Sequence, residues 1–205
     1  PEGGNYDYWI DWGDGLTSTK ITTYNDPQAT HTYAEDGEYT IKLMGTLDRL
    51  KFTGNIANDL KSVTKCILNF STITDMFNTC PNLENVCDGI FDQSLSITNA
   101  NSVFAHCTKL TTVPLGLFDN NNLITEFVDT FNDCGKLREV ILPHDTEVIG
   151  AHAFSGCAAL EQVDLPESVK RIEEGAFVTC VSLEKVHLPK GLEVVERKVF
   201  YRCTN

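Results

Sequence analysis

The chain has 205 residues, 41% of them apolar and 22% charged, the make-up of an ordinary folded protein rather than a disordered or membrane-embedded one. No run of roughly 18 apolar residues occurs, so nothing in the chain is expected to span a bilayer. A formal net charge of −13 repels phosphate backbones and excludes nucleic acid as an expected partner.

Residues 1–45 read as β structure. They open on Pro1-Glu-Gly-Gly, with neither an initiator Met nor a basic-then-apolar leader, which points to a beginning removed by processing or cloning. Tyr6, Tyr8, Ile10 and Trp12 alternate with Asp7, Trp9 and Asp11, the period of a strand with one apolar face. Gly13-Asp14-Gly15 ends it in a turn, because Asp-Gly tolerates positive φ. A second alternation, Tyr39/Ile41/Leu43 against Thr40/Lys42/Met44, follows an expected Asp36-Gly37 turn. Two such strands suit a small antiparallel sandwich. The stretch carries eight acidic residues against Lys20 and Lys42. A solvated face accounts for them, with a calcium loop as the alternative, although Asp11-x-x-Asp14 does not match an EF-hand. Trp9, on the polar side of the first strand, is a candidate sugar contact or a packing partner for the linker.

Ile10-Asp-Trp-Gly-Asp-Gly15, followed by His31-Thr-Tyr33 and Gly37-Glu-Tyr39-Thr-Ile41, resembles the PKD-type module. Ile10 and Trp12 stand where that family often has Trp and Phe, and the span is shorter than usual. The resemblance implies a β-sandwich that serves as a spacer and interaction unit on extracellular proteins, with no chemistry of its own.

Residues 46–72 read as a connector that caps the next region, since an open end would expose apolar side chains and strand edges. Leu60-x-x-Val63 looks like a degenerate first strand.

Residues 73–205 are repetitive. Phe is followed three residues later by Cys six times, at Phe77/Cys80, Phe104/Cys107, Phe131/Cys134, Phe154/Cys157, Phe177/Cys180 and Phe200/Cys203. Five copies continue with Leu and Val at the next three-residue steps, as in Phe154/Cys157/Leu160/Val163. The Phe-to-Phe intervals are 27, 27, 23, 23 and 23 residues, a period that belongs to stacked coils unable to bury their apolar edges alone. Val163-Asp-Leu165 alternates as a short strand and Pro166 stops it. Glu173–Cys180 is expected to form a helical or 3₁₀ turn that brings Phe177 onto the core. The 27-residue units insert Gly and an Asn120-Asn121-Asn122 turn, predicting a bulkier convex side. The expected fold is therefore mixed and β-rich: a small sandwich, then a solenoid with one short strand and one helical or 3₁₀ turn per coil.

Six cysteines occupy one slot of the repeat, so stacking places them in a column with parallel Cβ vectors, which opposes disulfide geometry. They read as small buried hydrophobes. Cys66 and Cys87 lie off the column and are the first suspects for any disulfide. No Cys-x2-Cys pair or His cluster supplies a zinc site, and no metal or cofactor is expected.

The 23-residue units resemble the BspA-type leucine-rich repeat, whose Ala-Phe-x2-Cys-x2-Leu-x2-Val-x-Leu-Pro pattern is met at Ala153-Phe154 and Ala176-Phe177, while Val199 precedes Phe200. The longer units look like the related subtype found beside PKD-like modules. The resemblance implies a bacterial surface or secreted protein that adheres to host or matrix components.

No Gly-x-Ser-x-Gly elbow, Walker loop or His-Glu-x-x-His motif occurs, so no enzymatic activity is expected. His31 sits in the His-Thr-Tyr motif with an expected structural role, and His106, His144, His152 and His187 fall at unrelated positions. Within Leu-x-x-Val-x-Leu the residues flanking Val face solvent, and Glu139, Ile141, Gln162, Asp164, Lys185 and His187 are the candidate ligand face. The expected partner is a host or matrix protein or a surface glycan. A glycan-binding accessory of a polysaccharide-processing system, or a spacer, is the alternative. Because no polar cap covers Phe200/Cys203, the final coil is expected to continue, self-associate or fray.

Overall fold

A computed structural model describes residues 5–35, 37–64 and 68–205. Asp36 of the expected turn, and Cys66 of the suspected disulfide with Cys87, lie outside the described residues.

Strand β1 (Tyr6–Asp11) keeps the alternation expected of it, with Tyr8 and Ile10 buried and Trp9 exposed. Strands β2 (Thr19–Ile21) and β3 (Lys42–Leu47) flank it, both antiparallel. The second predicted strand thus begins later than its alternation suggests, leaving Tyr39 and Ile41 outside. Local contacts hold that stretch instead. The Tyr39 ring stacks on Tyr33 at 3.8 Å, and its hydroxyl donates to the Glu35 carbonyl at 2.8 Å.

Next come helix α1 (Gly54–Asp59) and strands β4 (Ser62–Val63) and β5 (Leu68–Asn69). Strand β5 joins β3 in parallel, so the N-terminal strands form one sheet in the order β2-β1-β3-β5. Among the described residues there is no second facing layer of the expected sandwich. The sheet's apolar side chains join the core of the repeats instead, and Tyr8, Ile10, Ile21 and Leu47 belong to one buried cluster with Phe70 and Phe77.

Strand β6 (Asn85–Val86) pairs in parallel with β4, Val63 opposite Val86. The degenerate strand expected at Leu60-x-x-Val63 is therefore the first rung of the solenoid. The remaining strands are β7 (Glu126–Phe127), β8 (Val148–Ile149), β9 (Gln162–Asp164), β10 (Arg171–Ile172), β11 (Lys185–His187) and β12 (Val194–Val195). They build two parallel ladders, β9 with β11, and β7-β8-β10-β12. The protein is mostly β with little helix, a solenoid of about six turns matching its six Phe–Cys copies.

The core is continuous. Phe52, Phe77, Phe104, Phe131, Phe154, Phe177 and Phe200 stack face to face, with centroids 5.2–5.6 Å apart and planes within 16° of parallel. Phe52 extends this column one coil beyond the repeat visible in the sequence. The longer coils carry a second aromatic row, in which Phe91 stacks on Phe118 at 5.5 Å and Phe118 meets Phe127. Asn121, fully buried there, donates to the Ser94 carbonyl at 2.9 Å, and the Ser94 hydroxyl accepts from the Phe70 N–H at 2.8 Å.

The Phe–Cys segment is not the helical or 3₁₀ turn expected. Two slots of each coil, two residues before and two after Phe, take positive φ. The first slot is Asp75, Ser102, Asp129, His152, Gly175 and Lys198, and the second is Thr79, His106, Asp133, Gly156, Thr179 and Arg202. Left-handed residues interrupt a helix and turn every second N–H outward. In the Phe177 coil, Ala176, Val178 and Cys180 donate back to Glu173, Gly175 and Phe177 of the same coil. Gly175, Phe177 and Thr179 donate instead to the carbonyls of Arg197, Val199 and Tyr201 in the next. Thr179 holds φ 58° with a β-branched side chain, so Thr179→Gly should raise stability by about 1 kcal/mol, read as a higher urea midpoint at constant m-value.

The cysteine column is confirmed, but the thiols do more than fill space. Cys107, Cys134, Cys157, Cys180 and Cys203 each donate Sγ–H to the carbonyl of the previous coil's Phe, at 3.0–3.1 Å. Burial pushes the Cys80 thiol up to about 11 and the Cys180 thiol up to about 12, and Cys134 and Cys157 well above the ordinary thiol range. These thiols stay protonated at neutral pH, as donors must.

Candidate functional site

The candidate face is built from the Leu-x-x-Val-x-Leu segment. Leu160 and Leu183 anchor its two best-formed strands in the core, and Val163 lies opposite Val186. Alternation then turns the flanking residues outward. Gln162 lies opposite Lys185 and Asp164 opposite His187, and all four are exposed. They form one polar group. Gln162 Nε2 donates to Asp164 Oδ2 at 3.1 Å, and His187 Nδ1 contacts Asp164 Oδ1 from the adjacent strand. These hydrogen bonds, that of His187 foremost, hold the Asp164 carboxyl below its ordinary range.

Glu139 and Ile141 are exposed as expected but belong to a separate patch. Glu139 bridges Thr112 of the preceding coil, and among the described residues no strand pairing joins it to Gln162. The outward columns are thus broken into pairs rather than running the length of the solenoid. A cavity of about 340 Å³ opens beside Lys185, lined also by Leu183, Val186, Leu188, Phe200 and Cys203.

Sequence reasoning missed a second outward face. The β7-β8-β10-β12 ladder is the longest in the solenoid and presents Glu126, Val148, Arg171 and Val194. Arg171 lies 3.8 Å from both Glu173 and Glu196, and Arg197 pairs with Glu174 at 2.8 Å. The signal was the apolar residue recurring every 23 positions at Ile149, Ile172 and Val195.

In the N-terminal sheet, the two halves of the motif meet. The Tyr33 hydroxyl donates to the Trp12 carbonyl at 2.8 Å, and Trp12 stacks on His31 at 5.0 Å. His31 Nε2 lies 2.9 Å from Asp14 Oδ2, in ion-pair range but outside hydrogen-bond geometry. Asp11 and Asp14 are occupied by their own turn, accepting from the N–H groups of Gly13 at 2.9 Å and Leu16 at 3.1 Å. The Gly13 bond, aided by Lys42, lowers the Asp11 carboxyl. Among the described residues, no three His, Cys, Asp or Glu side chains converge to hold a metal ion, and no helix is long and apolar enough to cross a membrane.

Residues 126–205 match the family model of the BspA type Leucine rich repeat region, in six copies. Among solved structures, a leucine-rich repeat protein from Eubacterium ventriosum aligns with TM-score 0.53 at 18% identity, over 77% of this chain and 43% of that one. A leucine-rich repeat protein from Bacteroides ovatus aligns with TM-score 0.46 at 25% identity, over 71% and 47%. A leucine rich cell surface protein from Faecalibacterium prausnitzii aligns with TM-score 0.38 at 17% identity, over 72% and 58%. The chain therefore spans about half the length of the last two, 47% and 58%. A comparison with curated proteins gives no match. The architecture is that of a leucine-rich-repeat solenoid, and such repeats form binding surfaces.

Proposed function

We propose that the chain is a non-enzymatic, extracellular or cell-surface binding protein that engages a host or matrix protein, or a surface glycan, through the strand face of residues 83–188. The observation that carries this reading is the pairing of β9 with β11. It fixes Gln162, Asp164, Lys185 and His187 in one exposed polar group on a close-packed stack. Gln162, Asp164 and His187 are already tied to one another, so they have less side-chain freedom to lose on binding, which favours affinity from a small set of contacts. We assign 73–205 to the solenoid, 46–72 to a connector and cap that already lends the stack Phe52 and its first rung, Ser62–Val63, and 1–45 to a PKD-like unit. The Tyr33–Trp12 bond and the Trp12–His31 stack support that last assignment.

The test is a quadruple variant, Gln162→Ala, Asp164→Ala, Lys185→Ala and His187→Ala, measured against panels of immobilised matrix proteins and surface glycans. Binding should fall by about a hundredfold or more. The thermal midpoint should move little, because exposed substitutions cost about 0.5 kcal/mol or less each. Undiminished binding by a folded quadruple variant rejects this face.

A further inference from the structure

The N-terminal sheet has a second outward face, independent of the repeat ladder. On β1, Asp7, Trp9 and Asp11 point away from the core that Tyr8 and Ile10 enter. The register sets Trp9 between Lys20 of β2 and Met44 of β3. Trp9 and Met44 are 46% and 55% exposed, so an indole and a thioether form a small flat apolar platform. An ion pair closes each end. Lys20 Nζ lies 2.9 Å from Asp7 Oδ1, and Lys42 Nζ lies 3.1 Å from Asp11 Oδ2.

We infer that this face binds a neutral carbohydrate, with one pyranose ring laid on Trp9. Three features select that occupant. Two side chains make a platform far smaller than the ~800 Å² that a stable protein partner covers. Each carboxylate is matched by an ammonium, so the face offers a charged ligand or an anionic lipid surface no net attraction. A sugar ring presents an apolar C–H face to an aromatic plane and a rim of hydroxyls, and the Asp–Lys pairs place acceptors and donors at that rim. Trp12 does not share this role, because it is partly buried against the core and stacked on His31.

The experiment uses the full chain and a probe panel of hexasaccharides of β-1,4-glucose, β-1,4-N-acetylglucosamine, β-1,4-xylose and α-1,4-glucose. Intrinsic fluorescence is the readout, since Trp9 and Trp12 are the only two tryptophans. At least one probe should shift the emission with a Kd below about 1 mM. Trp9→Ala should weaken binding about tenfold or more, while Trp9→Phe should retain most of it. The quadruple ladder variant should bind the same probe unchanged, which separates this site from the repeat face. No shift with any probe, or equal affinity in Trp9→Ala measured by calorimetry, overturns the assignment. Binding lost only in the ladder variant transfers the sugar to the repeats and overturns it equally.

Discussion

Phe154→Ala should cost the solenoid about 3–5 kcal/mol, a large share of the roughly 5–15 kcal/mol that holds an ordinary domain folded. Phe154 is fully buried, with Phe131 stacked 5.4 Å away on one side and Phe177 5.2 Å on the other. Truncation removes the transfer energy of the ring, opens a void, and breaks two aromatic stacks at once. The loss cannot stay local, because each coil contacts only its neighbours and has no other core to fall back on. The control is Phe200→Ala. That ring is 38% exposed and is stacked on one side, by Phe177, so its loss should cost only about 1–2 kcal/mol. Urea denaturation followed by far-ultraviolet circular dichroism compares the two, and equal midpoints would refute a shared aromatic spine.

Gly45→Ala should cost about 3 kcal/mol or more, concentrated in the N-terminal sheet. Gly45 lies opposite Tyr8 in the centre of that sheet and takes φ 133°, a region L residues rarely enter. A Cβ there would collide with the backbone, against the Asp7 carbonyl oxygen and 2.8 Å from Tyr8 Cα. No rotamer change relieves a clash between main chains. Gly45 also pairs with Leu68, so the damage reaches the joint with the first coil. Both tryptophans sit in or beside β1, and their emission should therefore be lost at lower urea than the circular dichroism of the repeats. Coincident, unshifted transitions would show that the sheet tolerates the methyl group.

The repeat was legible because burial repeats. Phe, Cys, Leu and Val recur at fixed spacing because each enters the same core slot, and Leu83, Leu110, Leu137, Leu160 and Leu183 are all buried. What the sequence hid was backbone conformation. The left-handed slots hold Asp, Ser, His, Lys, Thr, Arg and Gly, a set with no shared side-chain chemistry, because their requirement lies in φ. The thiol donors were equally silent, since a cysteine filling space and one reaching a carbonyl are the same letter. Phe52 was missed because the helix Gly54–Asp59 replaces the turn and removes the Cys that marks other copies. The outward exposure of Glu139, Ile141, Gln162, Asp164, Lys185 and His187 was readable from the alternation, but not their division into pairs, which depends on where strands meet. The N-terminal motif gave β1 correctly and the second strand too early, as Tyr39 spends itself on Tyr33.

At the Phe–Cys corner, the coils of Phe77, Phe104, Phe131, Phe154 and Phe177 each send three N–H groups toward the following coil, for example Asp129, Phe131 and Asp133 to Ala151, Ala153 and Ser155. In an ordinary sheet such groups alternate in direction and their peptide dipoles nearly cancel. Here they add, each peptide contributing ~3.5 D along a common line. The stack is thereby an electret, positive toward Phe200 and negative toward Phe52. Two copies approaching by the same end bring like poles together at this corner, whereas a head-to-tail approach brings opposite poles into register.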